Sequence, residues 1–327
     1  METVACNLCG NTEVGWFAVY RDHQDGDSSY RLVKCSDCGL VYLNPRPSLS
    51  EVLARSAFYH GLLQEMRRRL TTGRFGRLAT SMMRRSRTPA MQPGQCRILD
   101  IGCASGEYLA YLRSIGWETT GVEMDPAAAY RARVHLGLNV ITGPAETALS
   151  DLPANGFDVV TMWHVLEHLD DPRGVLAEVR RVLKPNGRFL IEVPNFESIW
   201  AKLFRENWFP IEYPFHRFHF TPQTLRHILA SAGFAVQDLR GRPAPAETLW
   251  SFHMLHNRLQ RQAWDGRLLW SPAAFTALYP LEMLLASFDR TNHMRAIAVP
   301  DGKSCDLDSQ KPVRNDADGM NDREISL

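Results

Sequence analysis

The sequence lacks a long apolar run and an excess of charge of either sign. Lysine and arginine number 37 against 36 acidic residues, which gives a formal net charge of +1. This balance excludes a bulk electrostatic case for nucleic acid or an anionic membrane. The most apolar late segment, Leu268 to Ser287, is interrupted by Pro272, Pro280 and Glu282. It is too broken for a spanning helix of about 20 apolar residues, so we expect it to pack on the core or touch a membrane surface.

The first residues also lack the basic head and apolar stretch of a signal peptide. We therefore expect a cytoplasmic protein, with peripheral membrane contact as a further expectation. Cysteines in a reducing compartment are not expected to form disulfides. The seven cysteines consequently need another explanation.

Four of the cysteines form two Cys-x-x-Cys-Gly segments, at Cys6 and Cys9 and at Cys35 and Cys38. This spacing brings four thiolates to one tetrahedral Zn²⁺ ion. The glycine after each second cysteine permits a left-handed turn, whereas a redox Cys-x-x-Cys would occur once, beside a β-α unit. The sequence predicts a zinc ribbon whose metal is structural.

The chain divides into five predicted parts: a zinc ribbon at 1–43, a basic helical linker or cap at 44–93, an α/β core at 94–240, a C-terminal helical segment with the last strand at 241–300, and a disordered tail at 301–327. Short apolar runs alternate with amphipathic stretches in the core, which is typical of strand–helix units and a parallel sheet. The predicted strands are Arg97–Ile101, Glu118–Val122, Asn139–Thr142, Phe157–Trp163, Arg188–Val193, Ala235–Leu239 and His293–Val299.

A glycine-rich loop, Asp100-Ile101-Gly102-Cys103-Ala104-Ser105-Gly106, follows the first core strand. Gly102 and Gly106 let the backbone approach a ligand and aim helix N-terminal amides at it. A dinucleotide site would have G-x-G-x-x-G, and the acid Asp100 opposes phosphate. S-adenosylmethionine carries an ammonium group and a sulfonium but no phosphate, so the loop favours this cofactor.

Further acids follow the next two strands. Glu123 ends the second strand, where a carboxylate can accept hydrogen bonds from two ribose hydroxyls. The alternative for Glu123 is a helix-capping role before Asp125. We assign Glu123, its neighbour Met124 and, near the adenine amino group, Glu146 to the cofactor site.

With these loops the sequence resembles the class I S-adenosylmethionine-dependent methyltransferase family across Arg97 to Leu239. The matching segments are Asp100–Gly106, Gly121–Glu123, Phe157–Val160, His164–Leu169 and Arg181–Gly187. The resemblance implies a Rossmann-like seven-stranded sheet with an antiparallel last strand. It also implies that Trp163 and His164 flank the cofactor, and that Ala104 occupies a position where the family often has glycine.

Methyl transfer to a hydroxyl or an acidic carbon also requires removal of a proton, and histidine is the natural base near neutral pH. His168 lies in an H-x-x-E-H segment after the fourth strand, and His216 lies in the aromatic run Glu212–Phe220. The spacing of the first segment also matches a class of zinc protease, but the surrounding motifs disfavour a metal there. The alternative for His216 is stacking in an aromatic core loop.

The aromatic run is similar to that of a narrower group, the zinc-ribbon methyltransferases that include nucleotide-sugar C-methyltransferases. In that group a Glu-His pair supplies the base. His216 matches the histidine, but Phe215 replaces the glutamate, and the region after Leu239 is too short for the group's second C-terminal domain. The resemblance makes His216 the first base candidate and His168 the second.

Eight arginines occur without an acid between Met66 and Arg87. Such a segment can clamp phosphates, lie on an anionic membrane or bind nucleic acid. With the apolar segment near Leu268, it predicts a phosphate-bearing or lipid-linked glycan acceptor. Together with the histidine candidates, the prediction is O- or C-methylation of a small-molecule or glycan acceptor, such as a sugar nucleotide or a lipid-linked saccharide. The alternative is a zinc-ribbon nucleic-acid-binding protein or an RNA methyltransferase. No Asn-Pro-Pro-Tyr-like signature follows the fourth strand, which disfavours methylation of base amines.

Overall fold

The computed structural model describes residues 1–21, 29–48, 51–52, 96–260 and 272–302. The predicted hairpin tip at 22–28, the arginine-rich segment and nearly all of the predicted tail lie outside these ranges. Within them, no helix is both long and apolar enough to cross a membrane.

The N-terminal part is an antiparallel sheet of three consecutive strands, β1 (Val14–Arg21), β2 (Ser29–Cys35) and β3 (Val41–Leu43). One face of this sheet shares a buried apolar cluster with Trp200 and Trp208 from the region after the fifth core strand. The ribbon therefore packs into the rest of the chain instead of standing apart as a separate module.

Seven strands form the core sheet: β4 Arg97–Ile101, β5 Glu118–Glu123, β6 Asn139–Thr142, β7 Phe157–Trp163, β8 Leu183–Pro194, β10 Phe234–Arg242 and β11 His293–Pro300. Their order across the sheet is β10-β11-β8-β7-β4-β5-β6. The last strand, β11, lies antiparallel between β8 and β10, and neighbouring strands from β8 to β6 run parallel. The predicted Rossmann-like α/β sheet is confirmed.

Helices link the core strands. They are α1 Glu107–Ser114, α2 Pro126–Leu136, α3 Ala145–Ala148, α4 Pro172–Val182, α5 Ile199–Phe204 and α6 Pro222–Ser231. Asp125 and Asp171 begin α2 and α4 by accepting hydrogen bonds from backbone amides two or three residues on, and each precedes a proline at the first helical position. Thr221 caps α6, as predicted.

The fifth core strand begins earlier than predicted. The composition of residues 184–187, Lys-Pro-Asn-Gly, predicts a turn, but the chain is extended there because Leu183 pairs with Phe157 before the register shifts. The helix preceding it nevertheless ends at Val182, next to the predicted stop.

Two helices lie between β10 and β11: α7 (Pro245–Gln260) and α8 (Pro272–Ala286). The only acid of α8, Glu282, is buried and accepts hydrogen bonds from the Thr248 hydroxyl (2.6 Å) and the Ala244 amide (3.1 Å). Leu278 and Leu285 pack against the buried cluster shared with the ribbon. The predicted apolar segment thus packs on the core through one face.

Candidate active site

The cofactor loop between β4 and α1 contains three left-handed residues. The backbone φ angles are 75° at Gly102, 49° at Ala104 and 82° at Gly106. A Cβ atom on Gly102 would lie 2.4 Å from Val165 Cγ2, so glycine is needed there. The tight turn places the N-terminus of α1 at the carboxyl edge of the sheet, where open α/β sheets bind ligands.

Glu123 at the end of β5 holds this loop. Its Oε2 atom accepts a hydrogen bond from the Ala104 amide (2.7 Å), and its Oε1 atom accepts one from the Asp125 amide (2.8 Å). Each carboxylate oxygen has two lone pairs, so ribose hydroxyls can still donate to Glu123. The side chain of neighbouring Met124 is half exposed.

Asp100 lies beneath the loop and is almost fully buried. Its Oδ1 atom accepts a hydrogen bond from the Thr161 hydroxyl at 2.6 Å. Trp163, at the end of β7, packs edge-on against Tyr108 of α1, with ring centroids 6.0 Å apart. The predicted cofactor residues from β4, β5 and β7 thus meet at one edge of the sheet.

These residues fit S-adenosylmethionine. Glu123 can still accept hydrogen bonds from ribose hydroxyls, and a carboxylate such as Asp100 is suited to the ammonium group. The bound cofactor supplies an electrophilic methyl group on sulfur. The residue assignments themselves remain predictions.

Glu146 is engaged elsewhere. Its Oε1 atom accepts a hydrogen bond from the Asp170 amide at 3.2 Å. The Asp170 carboxylate in turn forms ion pairs with Arg217 and Arg46. Glu146 therefore contributes to the contacts between core and ribbon, and its adenine role stays a prediction.

The four ribbon cysteines form one compact cluster. The Sγ atoms of Cys6 and Cys38 lie 3.5 Å apart, as do those of Cys9 and Cys35. A tetrahedral zinc ion with Zn–S bonds of about 2.3 Å requires sulfur separations of roughly 3.8 Å, so the cluster fits Zn²⁺. The hydrogen bond between Cys6 and Cys38 lowers the pKa of the Cys6 thiol and raises that of Cys38, and a bound metal ion would require all four groups as thiolates.

The ribbon sheet gains its fourth strand from the region of the predicted base. Strand β9, Phe218–His219, pairs antiparallel with β3 of the ribbon. Beside it, the Leu43 amide donates to the Arg217 carbonyl at 2.9 Å, and the Arg217 side chain forms an ion pair with Asp170. The ribbon consequently holds the loop that carries His216.

The structure brings the two base candidates together. The rings of His168 and His216 have centroids 4.5 Å apart. Nδ1 of His168 lies 3.0 Å from the Phe215 carbonyl oxygen, and Nδ1 of His216 lies 2.8 Å from that of Pro210. Because a carbonyl only accepts hydrogen bonds, both Nδ1 atoms carry the proton.

The surroundings of the two histidines differ. Nε2 of His216 lies 3.1 Å from a carboxylate oxygen of Glu212; burial lowers the pKa of His216, but Glu212 outweighs it and holds that pKa above its usual value. Burial and nearby His216 lower the pKa of His168 to about 4. His168 is partly exposed, whereas His216 is 4% exposed.

Glu167 completes this group, which we call the histidine–carboxylate cluster: Glu167, His168, Glu212 and His216. Glu167 is fully buried, and its carboxylate lies 3.4 Å from Nδ1 of His164. Burial would raise the pKa of Glu167, but the interaction with His164 lowers it to about 2. The cluster therefore holds a buried negative charge.

His164 was predicted to flank the cofactor, and both of its ring nitrogens face carboxylates. Nδ1 faces Glu167, and Nε2 lies 3.3 Å from Glu192 Oε1. Burial opposes ionisation, yet the two nearby carboxylates raise the pKa of His164 to about 10. His164 thus joins the cluster to Glu192, and its contact with the cofactor remains a prediction.

Several residues of this site were not predicted from the sequence. Glu212 provides the carboxylate next to His216 that Phe215 cannot provide, and Glu192 forms an ion pair with Arg295 at 2.6 Å. The Arg295 guanidinium also lies over the Trp163 ring, 4.8 Å from its centroid. A charged residue inside the otherwise apolar run of β8 was the signal that could have identified Glu192.

Comparison with known proteins identifies the family of the core. A family model described as a methyltransferase domain matches residues 56–239, more than half of the chain. A mitochondrial ubiquinone biosynthesis O-methyltransferase of Schizosaccharomyces pombe is 38% identical over 101 residues, covering 29% of this chain and 36% of the relative. A ubiquinone biosynthesis O-methyltransferase of Nitrosococcus oceani is 30% identical over 156 residues, covering 44% and 66%. The chain thus spans from about a third to two thirds of the length of these relatives.

Solved structures give similar alignments. A S-adenosylmethionine-dependent methyltransferase from Archaeoglobus fulgidus aligns with a TM-score of 0.49 and 24% identity, covering 74% of this chain and 99% of that chain. One from Thermotoga maritima, described as a possible histamine N-methyltransferase, aligns with a TM-score of 0.48 and 16% identity, covering 76% and 98%. On the family match, together with the strand order and the loop at 100–106, the chain belongs to the class I S-adenosylmethionine-dependent methyltransferases and is an enzyme.

Proposed function

We propose that the enzyme transfers the methyl group of S-adenosylmethionine to a hydroxyl group of a small molecule. The relatives named as O-methyltransferases support a hydroxyl acceptor. The observation that carries the proposal is the histidine–carboxylate cluster, because it offers a proton-accepting group in the turn directly after β7, which ends at Trp163.

In this reaction the acceptor oxygen bonds to the methyl carbon, and the carbon–sulfur bond breaks with its electron pair staying on sulfur. The hydroxyl proton must leave at the same time. His168 is suited to accept it, because its low pKa keeps the ring neutral at pH 7 and the Phe215 carbonyl fixes the proton on Nδ1. His216, which faces Glu212, then serves to position His168.

The acceptor class can be tested directly with isotopically methyl-labelled S-adenosylmethionine. We would offer catechol-bearing benzoates, a nucleoside diphosphate sugar and a short RNA, and identify the methylated atom by mass spectrometry and NMR. Transfer to a hydroxyl of the benzoates or the sugar supports the proposal. Transfer only to RNA, only to carbon, or to none of the three contradicts it.

The role of His168 requires a separate test with the acceptor so found. We expect His168→Ala to lower kcat by about 100-fold or more while the affinity for S-adenosylhomocysteine, measured by calorimetry, stays unchanged. His227→Ala is the matched control, since His227 lies exposed on α6 and should leave both quantities unchanged. A normal kcat in His168→Ala would return His168 to a structural role.

A second candidate function is C-methylation of a sugar nucleotide. The sequence lacks glutamate at position 215, but Glu212 supplies a carboxylate 3.1 Å from Nε2 of His216. This contact supports a Glu-His pair of the kind that the narrower resemblance implies. Methylation at a carbon of the nucleoside diphosphate sugar would favour this function over the first.

A further inference from the structure

We infer that the histidine–carboxylate cluster is a binding site for a divalent transition-metal ion, distinct from the zinc site of the ribbon. One ligand atom from each of Glu167, His168 and His216 lies within 4.8 Å of the other two. Glu212 adds a second carboxylate beside His216. Imidazole and carboxylate donors together suit Mn²⁺, Fe²⁺ or Zn²⁺ better than Mg²⁺ or Ca²⁺, which prefer all-oxygen ligands.

The first argument is the orientation of the two imidazoles. Nδ1 of His168 and Nδ1 of His216 each donate to a backbone carbonyl, of Phe215 and Pro210 respectively. Metal-bound histidines in proteins are held in this way, with one ring nitrogen bonded to a carbonyl or carboxylate and the other free to bind the metal. The Nε2 atoms are therefore the ones that would bind the metal. Nε2 of His216 lies 3.1 Å from Glu212, so an ion bound there would replace this contact and bring the Glu212 carboxylate beside it.

The second argument is the buried carboxylate of Glu167. Its side chain is 0% exposed, and no hydrogen bond from the residues that the structure describes reaches either of its oxygens. The closest ring nitrogen, Nδ1 of His164, is 3.4 Å away. A carboxylate buried without hydrogen-bond partners is costly, and a metal ion bound directly to one of its oxygens would satisfy it at a shorter distance than His164 does.

The third argument is the rigidity of the site. Glu167 and His168 follow β7 in a short 3-10 helix, Leu166–His168. The Arg217 amide donates to the Glu167 carbonyl at 2.8 Å, so the segment that carries His216 is tied to the segment that carries the other two ligands. Both are further held by the ribbon through β9. Such support keeps metal ligands in a fixed geometry.

The chemical role of the ion rests on the proposed function. A hydroxyl bound to a divalent cation loses its proton at a lower pH than a free hydroxyl. With the ion bound, Nε2 of His168 would be a ligand and could not accept the hydroxyl proton, which would pass to solvent. The ion would then perform the activation that His168 performs when no ion is bound.

The experiment measures metal binding without any acceptor. Protein with zinc in its ribbon is titrated with MnCl₂, and free Mn²⁺ is followed by electron paramagnetic resonance. Mn²⁺ prefers nitrogen and oxygen ligands to thiolates, so the ribbon does not compete. We expect one Mn²⁺ per chain in the wild type and in His227→Ala, and binding weakened by roughly tenfold or more in His168→Ala and Glu212→Gln.

Binding of S-adenosylhomocysteine shows that each variant is folded, and the partly exposed His168 is the less disruptive position to change. No Mn²⁺ binding by the wild type, or equal binding by the folded variants, would overturn the inference. Loss of turnover in His168→Ala without Mn²⁺ binding would leave His168 as the base. Mn²⁺ binding that depends on the cluster, in a protein that methylates no hydroxyl, would overturn the proposed function but not the metal site.

Discussion

The cofactor loop and the histidine–carboxylate cluster lie near the same edge of the sheet, but they are assembled differently. The loop consists of seven consecutive residues, held by Glu123 from the neighbouring strand. The cluster combines Glu167 and His168, which follow β7, with Glu212 and His216 from a loop that the ribbon holds. With the proposed roles, donor binding would depend on local backbone geometry, whereas acceptor activation would depend on contacts between distant segments.

The substitution expected to have the largest effect is in the cofactor loop. We expect Gly102→Ala to lower the free energy of unfolding by roughly 2–4 kcal/mol, because the new Cβ would lie 2.4 Å from Val165 at a φ of 75°. Affinity for S-adenosylhomocysteine should fall by about 100-fold, since the loop must shift to relieve the clash. Thermal unfolding and calorimetry provide the two measurements.

Gly137→Ala is the control for this change. Gly137 also has a positive φ, of 62°, but its nearest neighbour atom would be 3.8 Å away. Its substitution should cost about 1 kcal/mol of stability without changing cofactor affinity. Equal loss of affinity in both variants would show that the loop does not bind the cofactor.

A substitution in the ribbon should have an intermediate effect, on turnover and not on cofactor affinity. We expect Cys9→Ser to lose ribbon zinc and to lower turnover by roughly tenfold. Without the metal, β9 would lose its support, and the histidine–carboxylate cluster would lose its alignment. Affinity for S-adenosylhomocysteine should change by less than about threefold, since the ribbon does not contribute to the loop. Metal analysis, turnover and calorimetry test this.

Cys96→Ser is the matched control, because Cys96 is partly buried like Cys9 but lies outside the cysteine cluster. It should retain zinc, turnover and cofactor affinity. A ribbon variant that loses cofactor affinity as strongly as turnover would contradict the separation of the two regions.

The smallest effect concerns a single hydrogen bond under the loop. We expect Thr161→Val to remove the 2.6 Å hydrogen bond to Asp100 and to lower S-adenosylhomocysteine affinity by roughly three- to tenfold, the scale of one ordinary hydrogen bond. Thr120→Val in β5 is the control, since Thr120 is also buried. Unchanged affinity in Thr161→Val would mean that Asp100 does not contribute to cofactor binding.

Much of the core could be predicted because its signals are local. Strands β4, β6 and β7 and helix α2 have the predicted bounds, since apolar runs end at glycine, aspartate or proline in the sequence. The turn predicted at residues 184–187 is wrong because a non-local contact decides the structure there. Pairing of Leu183 with Phe157 keeps extended a segment whose composition favours a turn.

The site was only partly predictable for the same reason. The two base candidates were identified by residue type, but nothing local indicates that His216 contacts His168 or that Glu212 replaces the expected glutamate at 215. Those contacts depend on how the segment after β8 folds back onto the turn after β7. The pairing of β9 with β3 likewise joins segments with no shared sequence pattern.

That pairing has a consequence for synthesis of the chain on the ribosome. The edge of β3 remains without its final partner until Phe218 and His219 have been made, so the N-terminal cysteines can bind metal long before the sheet around them is complete. An open strand edge is prone to pairing with other chains. Early metal binding would then protect the nascent protein from aggregation during the interval in which the core strands emerge.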